Sequence, residues 1–118
     1  MTTRDEARTR AEAQVDAGVE LLRRTFGRRW YSKVEPERIN QASTRDDVLG
    51  QICGSYERGM KKLGFFGIVR LPGQDEAVEL PFADKGAEHG FALCNEFMTW
   101  EILNDVWRSK VAALRASR

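Results

Sequence analysis

Three side chains in this 118-residue sequence could act as soft metal ligands or nucleophiles, namely Cys53, His89 and Cys94. They form no CxxC pair and lie far apart, whereas a structural zinc site needs four ligands in close groups. Cys53 falls on the apolar stripe of a predicted helix, where a thiol packs as a small hydrophobic group. The chain also lacks a glycine-rich phosphate loop and the HExxH and GxSxG patterns. We therefore predict no metal, no cofactor and no catalytic residue, and a protein that is not an enzyme.

A second chemical feature is a run of basic residues interspersed with aromatic ones, between positions 23 and 33. Its cations are Arg23, Arg24, Arg28, Arg29 and Lys33. Such a mixture can bind phosphates and stack on bases. Alternatively, arginines are favoured at the C-terminus of a helix and the aromatics belong to the core. The whole chain has 19 basic and 18 acidic residues, a balance that disfavours a surface built entirely for nucleic acid.

Gly50 and Gly54 lie inside a predicted helix, where each glycine costs about 1 kcal/mol relative to alanine. Such glycines indicate a close approach to the helix, either by a ligand or partner beside Gln51 or by another helix of the chain. We favour the second alternative, with Trp100 or Trp107 of the last helix lying over the glycines. These four residues are thus predicted to be helix-packing residues.

Apolar residues recur at helical spacing in three segments, with polar residues on the other faces. They predict helices at about 4–26, 44–63 and 96–116, with Ser43 or Thr44 capping the second and Asn95 or Thr99 capping the third. Two short β segments flank a set of turn-forming residues, which predicts a β-hairpin at about 65–82.

The predicted fold class is therefore mostly α with a small β excursion (α+β), in which the three main helices pack as a bundle. A polar loop over 84–90 follows the hairpin. The length fits a single domain, residues 1–118, whose first residues, 1–8, are rich in charge and are expected to fray.

The cysteines do not indicate a disulfide framework, which favours a reducing compartment. No apolar run approaches the about 20 residues of a membrane span, and the N-terminus lacks the apolar core of a signal peptide. From these observations we predict a cytoplasmic protein with no membrane partner.

Several segments resemble one group of proteins: Trp30, Asp47-Val-Leu-Gly-Gln-Ile-Cys-Gly-Ser-Tyr, His89-Gly-Phe and Trp100-Glu-Ile-Leu-Asn-Asp-Val-Trp-Arg. They are similar to small hypothetical proteins of actinobacteria and their bacteriophages that carry a Leu-Gly-Gln-x-x-Gly-Ser-Tyr motif. The resemblance covers about 30–111 and implies a phage or prophage origin. Val48 stands where that group often has a cysteine, and His89 replaces an aromatic residue, so the resemblance implies no metal or redox role.

The first functional hypothesis is a non-enzymatic protein-interaction module that binds a host or phage protein. Its apolar contact would be formed by aromatic residues of the connector and hairpin, namely Tyr31, Phe65, Phe66 and Phe82. The alternative is a nucleic-acid-binding accessory protein that uses the basic segment at 23–33. A homodimer is also predicted, because the last helix has apolar residues on more than one face.

Overall fold

The computed structural model of the protein describes residues 4–70, 72–73, 75–81, 83–92 and 99–117. In this part of the chain the elements are α1 (Arg4–Phe26), α2 (Val48–Cys53), α3 (Tyr56–Lys62), β1 (Phe66–Val69), β2 (Val78–Pro81), α4 (Ala83–Glu88) and α5 (Trp100–Ala116). The predicted class, mostly α with a small β-hairpin, is confirmed. None of the described helices is long and apolar enough to cross a bilayer.

Helices α1 and α5 pack against each other and supply most of the core. Their buried apolar residues are Ala7, Ala11, Val15, Leu22, Ile102, Leu103, Val106, Trp107 and Val111. An ion pair of 2.6 Å between Lys110 Nζ and Asp16 Oδ1 joins the two helices at the surface. The Thr99 hydroxyl caps α5 by accepting a hydrogen bond from the Ile102 N–H at 3.2 Å. Positions 95–98, where the alternative start was predicted, lie outside the described residues.

The helix predicted at 44–63 is wrong as a single element, because the chain forms two short helices that are joined at Gly54. Gly54 has a φ of +95° and ends α2 in the left-handed conformation that glycine favours. Its N–H donates to the Gly50 carbonyl at 2.8 Å. The Ser55 hydroxyl then caps α3 by accepting from the Arg58 N–H at 3.1 Å.

The predicted packing of the last helix over Gly50 and Gly54 is also wrong. A Cβ on Gly50 would clash with the Arg45 carbonyl and the Asp47 carboxylate, which belong to the turn that leads into α2. At Gly54 the nearest atom to such a Cβ is Arg58 Nη1, at 3.6 Å. Gly50 therefore makes room for its own helix entry, and Gly54 supplies a backbone conformation.

The close approach predicted from glycines occurs instead at Gly18, in the middle of α1. A Cβ there would fall on the carbonyl oxygen of His89. Gly90 has a φ of +77°, and a Cβ on it would lie 3.1 Å from the Cα of Val15. The segment predicted as a polar loop at 84–90 is thus corrected to α4 and a tight turn, and this turn is seated on α1.

The tryptophans of α5 have different environments. Trp107 is buried, and its Nε1–H donates to the Gly90 carbonyl at 2.6 Å. Its ring stacks on Phe91 at 5.6 Å between centroids and makes an edge contact with Trp30 at 6.4 Å. Trp100 begins α5 and is 37% exposed. Trp107 therefore packs against the turn after α4 rather than over the predicted glycines.

Gln41 connects three distant segments through its buried amides. Its backbone N–H donates to Asn104 Oδ1 at 2.6 Å, and its side-chain Nε2 donates to the Gly90 carbonyl at 3.2 Å. Its Oε1 accepts from the Val48 N–H at 2.7 Å, at the start of α2. Because buried polar groups must be paired, this network fixes where the connector between α1 and α2 crosses α5.

The predicted hairpin is confirmed over its described residues. Strands β1 and β2 are antiparallel, with the register Phe66–Pro81, Gly67–Leu80, Ile68–Glu79 and Val69–Val78. Before β1, the Phe65 N–H donates to the Met60 carbonyl at 2.9 Å, which ties the strand to the end of α3. After β2 the chain enters α4, so both ends of the hairpin are anchored.

We predict that Gly18→Ala destabilises the fold by about 1–3 kcal/mol, because the added methyl group displaces the His89 carbonyl from α1. In an open helical site the same change would instead stabilise by about 1 kcal/mol. Urea unfolding measures the difference. Gly86→Ala is the matched control, since its nearest neighbours are the ends of the Met60 and Tyr56 side chains at 3.2 Å and not a backbone atom. If Gly18→Ala lowers the free energy of unfolding no more than Gly86→Ala does, the close approach of the His89 carbonyl to Gly18 is contradicted.

Candidate protein-interaction site

The soft ligands that the structure describes take part in packing. Cys53 is half-buried at the end of α2, and burial raises the pKa of its thiol. His89 Nδ1 lies 2.8 Å from the Lys85 carbonyl oxygen, and its ring lies 5.3 Å from the Phe65 ring. Cys94 is outside the described residues. Within the described ranges, no group of three or more His, Cys, Asp or Glu side chains could hold a metal ion.

Asp47 is a buried carboxyl group, and it replaces Ser43 or Thr44 as the cap of the helix. Its Oδ1 accepts from the Gly50 N–H at 2.9 Å, whereas its Oδ2 has no partner in the part of the chain that the structure describes. Burial raises its pKa from 3.8 to about 7, with a further contribution from the charge of Asp46. The Asp47 side chain serves as a helix cap through its bond from the Gly50 N–H, and it does not reach solvent.

The basic segment keeps only part of the chemistry that its composition predicts. Arg23 donates to both oxygens of the Glu20 carboxylate at 2.6 and 3.2 Å, and Arg24 Nε lies 3.9 Å from the same carboxylate. Trp30 is buried in the core, and Tyr31 makes an edge contact with it at 5.9 Å. These arginines are therefore partly neutralised, and Trp30 has no face on which a base could stack.

The remaining cations of this segment are exposed and have no ion-pair partner among the residues described, namely Arg28, Arg29 and Lys33. The charges of Lys62 and Lys33 both oppose the effect of burial on the pKa of the Cys53 thiol. Lys62, at the end of α3, and Lys33 therefore both lie near the Cys53 thiol. This surface is cationic but has no exposed tryptophan within it.

The predicted aromatic patch does not form a single surface. Tyr31 packs on the core, and its own carbonyl oxygen lies 3.5 Å from Arg115 Nη1. Phe65 and Phe66 contact different neighbours, because the Phe65 ring lies 5.3 Å from the His89 ring and the Phe66 ring lies 5.3 Å from Lys61 Nζ. Phe82 lies outside the described residues. Phe66 lines a groove.

This groove lies between the hairpin and the start of α3 and has a volume of about 440 Å³. It is lined by Thr44, Ser55, Tyr56, Glu57, Phe66 and Glu79. The two aromatic rings provide its apolar surface and the two carboxylates its charge. Lys61 Nζ lies 5.3 Å from the centre of the Phe66 ring, 3.7 Å from Glu79 Oε2 and 3.9 Å from Glu57 Oε1. One ammonium group is thus shared by two carboxylates, which leaves the hairpin groove with a net negative charge.

Beside the hairpin groove lies Ile68, which is 80% exposed. It is opposite Glu79 in the register of the sheet, and it shares a face of β1 with Phe66 and Arg70 because side chains alternate along a strand. Such exposure of a large apolar side chain beside a groove is typical of an interaction surface. The alternation from Phe66 to Arg70 was visible in the sequence, but the exposure of Ile68 was not.

No protein-family model matches this chain, and neither a curated protein nor a solved structure matches it.

We predict that Asp47 destabilises the protein progressively as the pH rises from about 4 to 7, and that Asp47→Asn removes this contribution. Because the pKa of Asp47 is raised to about 7, the folded state holds a proton that the unfolded state releases near pH 4. The contribution is on the order of a few kcal/mol. Thermal unfolding of both proteins across this pH range measures it, since all other groups cancel in the difference. Parallel pH profiles would contradict the prediction.

Proposed function

We propose that this chain is a non-enzymatic protein-interaction module, of the phage or prophage type that its resemblance implies, and that it binds its partner at the hairpin groove. The observation that carries the proposal is the combination in one groove of the apolar rings of Tyr56 and Phe66 with the carboxylates of Glu57 and Glu79. An apolar centre with a charged rim is the usual arrangement of a protein-binding surface.

The chemistry of the groove supports binding rather than a reaction. Ser55 Oγ is engaged as a helix cap, and the Thr44 carbonyl accepts from the Tyr56 N–H at 2.7 Å. The described lining of the hairpin groove has no histidine or cysteine that could activate a hydroxyl group. The carboxylates therefore offer acceptors for the basic side chain of a partner.

These groups also define the chemistry of the partner. Glu57 and Glu79 outnumber the single ammonium group of Lys61, so a cation placed between them gains Coulomb attraction. The rings of Tyr56 and Phe66 accept an adjacent apolar side chain. The segment that fits is one with a basic residue next to an apolar residue, contributed by a host or phage protein.

The competing function, nucleic-acid binding, relies on the exposed cations Arg28, Arg29 and Lys33. Phosphate contacts alone give weak binding that salt disrupts. Base stacking would add sequence-independent affinity, but the ring of Trp30 is buried and cannot stack on a base. The hairpin groove therefore supports the protein-binding proposal better than this surface supports its alternative.

We predict that Glu57→Gln/Glu79→Gln weakens the binding of a fluorescein-labelled peptide of alternating lysine and leucine residues about 2- to 30-fold. Each exposed charge pair contributes about 0.2–1 kcal/mol, so two give this range. Fluorescence anisotropy measures the affinity. The control, Glu37→Gln/Glu88→Gln, makes the same charge change at exposed sites away from the groove and should bind as the wild type does.

A second measurement tests the natural partner, by pull-down from host lysate with the wild type and both double variants. We expect that the wild type and the control variant both retain the same protein, and that the groove variant does not. Nuclease treatment should not change this result. Recovery of nucleic acid alone, lost on nuclease treatment, would instead favour the cationic surface and contradict the proposal.

A further inference from the structure

The two edges of the hairpin differ in their chemistry. Strand β2 carries Glu79 and ends in Pro81, which has no N–H to donate, and α3 packs against it. A charge, a proline and a covering element are the features by which proteins protect an edge strand from pairing. The segment of β1 from Phe66 to Val69 contains no proline and no charged residue, and Arg70 follows at its end.

The outward-facing backbone groups of β1 have no hydrogen-bond partner within the described ranges. In a two-stranded antiparallel sheet, alternate residues of each strand point their N–H and C=O groups away from the partner strand. The same strand exposes Ile68 to 80%, and a two-stranded hairpin alone is marginally stable. Both observations indicate that β1 has room for, and would gain from, a third strand.

We propose that this third strand is β1 of a second copy of the chain, so that two hairpins form a continuous four-stranded antiparallel sheet. This inference concerns the strand edge and does not depend on the partner that binds the hairpin groove. The symmetry of such a pair is a two-fold axis perpendicular to the sheet, since this operation makes the strands antiparallel and keeps each face on its own side.

The sequence of β1 complements itself about this axis. Residues that face each other must lie on the same side of the sheet, so Ile68 pairs with the partner's Ile68. In this register Val69 faces the partner's Gly67, where the missing side chain leaves space, and Phe66 faces the partner's Arg70. The pairing brings the exposed isoleucines together, and no two residues of like charge face each other in the register.

The short length of β1 limits the area that the dimer buries and therefore its affinity. Strands of about this length bury less than the about 1,200 Å² below which interfaces are weak. We therefore expect a dimer with a Kd of about 10 µM to 1 mM, formed mainly by backbone hydrogen bonds and apolar contact. Because opposite charge patches do not form it, added salt should not dissociate it.

Sedimentation of the full chain over a range of concentrations tests the association. We expect the wild type to pass from monomer to dimer as the concentration rises, at both low and high salt. Ile68→Lys should stay monomeric at every concentration, because it places two ammonium groups opposite each other on the axis. Since Ile68 is largely exposed, its thermal unfolding should match that of the wild type. A wild type that remains monomeric throughout, or a variant that dimerises equally, would overturn the proposal.

Cysteine crosslinking tests the register, in a Cys53→Ser/Cys94→Ser background. Under oxidation Ile68→Cys should give a disulfide-linked dimer, since paired residues have Cα atoms about 4.5–5.5 Å apart, within the range of a disulfide. Arg70→Cys is the control, because its two copies would lie about 13 Å apart along the strands. Equal crosslinking of the two variants, or none in either, would exclude this pairing.

Discussion

The Gly90 carbonyl oxygen is the point on which the tertiary structure depends. It accepts buried hydrogen bonds from Trp107 Nε1 and Gln41 Nε2, which join α5 and the connector to the turn after α4. The same turn contacts α1 at Gly18, where a side chain would displace it. Because an unpaired buried donor costs about 1–3 kcal/mol, these contacts hold four segments in one arrangement.

This constraint also positions the hairpin. Its second strand leads into α4, which ends at the Gly90 turn, and its first strand is tied to α3 by the Phe65 N–H. The base of the hairpin is therefore fixed while Ile68 remains exposed beyond it. A strand held in this way keeps its edge available at little entropic cost, since the residues that present it are already ordered.

Asp47 shows that the fold accepts a local cost to secure a helix entry. One of its oxygens caps α2 through the Gly50 N–H, and burial of the other without a partner favours the protonated form. Gly50 is needed at this turn because any side chain there would clash with the Asp47 carboxylate. The strongly shifted pKa therefore has a structural origin, and the charges available for binding lie on the exposed rim of the hairpin groove.

By itself the sequence determined the features that depend on neighbouring residues: helix α1, the hairpin and the class of fold, with Thr99 as one of two candidate caps for the last helix. Helical spacing and turn chemistry act over a few residues, so they can be read directly. Tertiary structure alone decided that Gly18 receives a distant carbonyl group and that Ile68 stays uncovered. Each of these depends on atoms brought from, or withheld by, remote parts of the chain, and the local pattern contains no record of them.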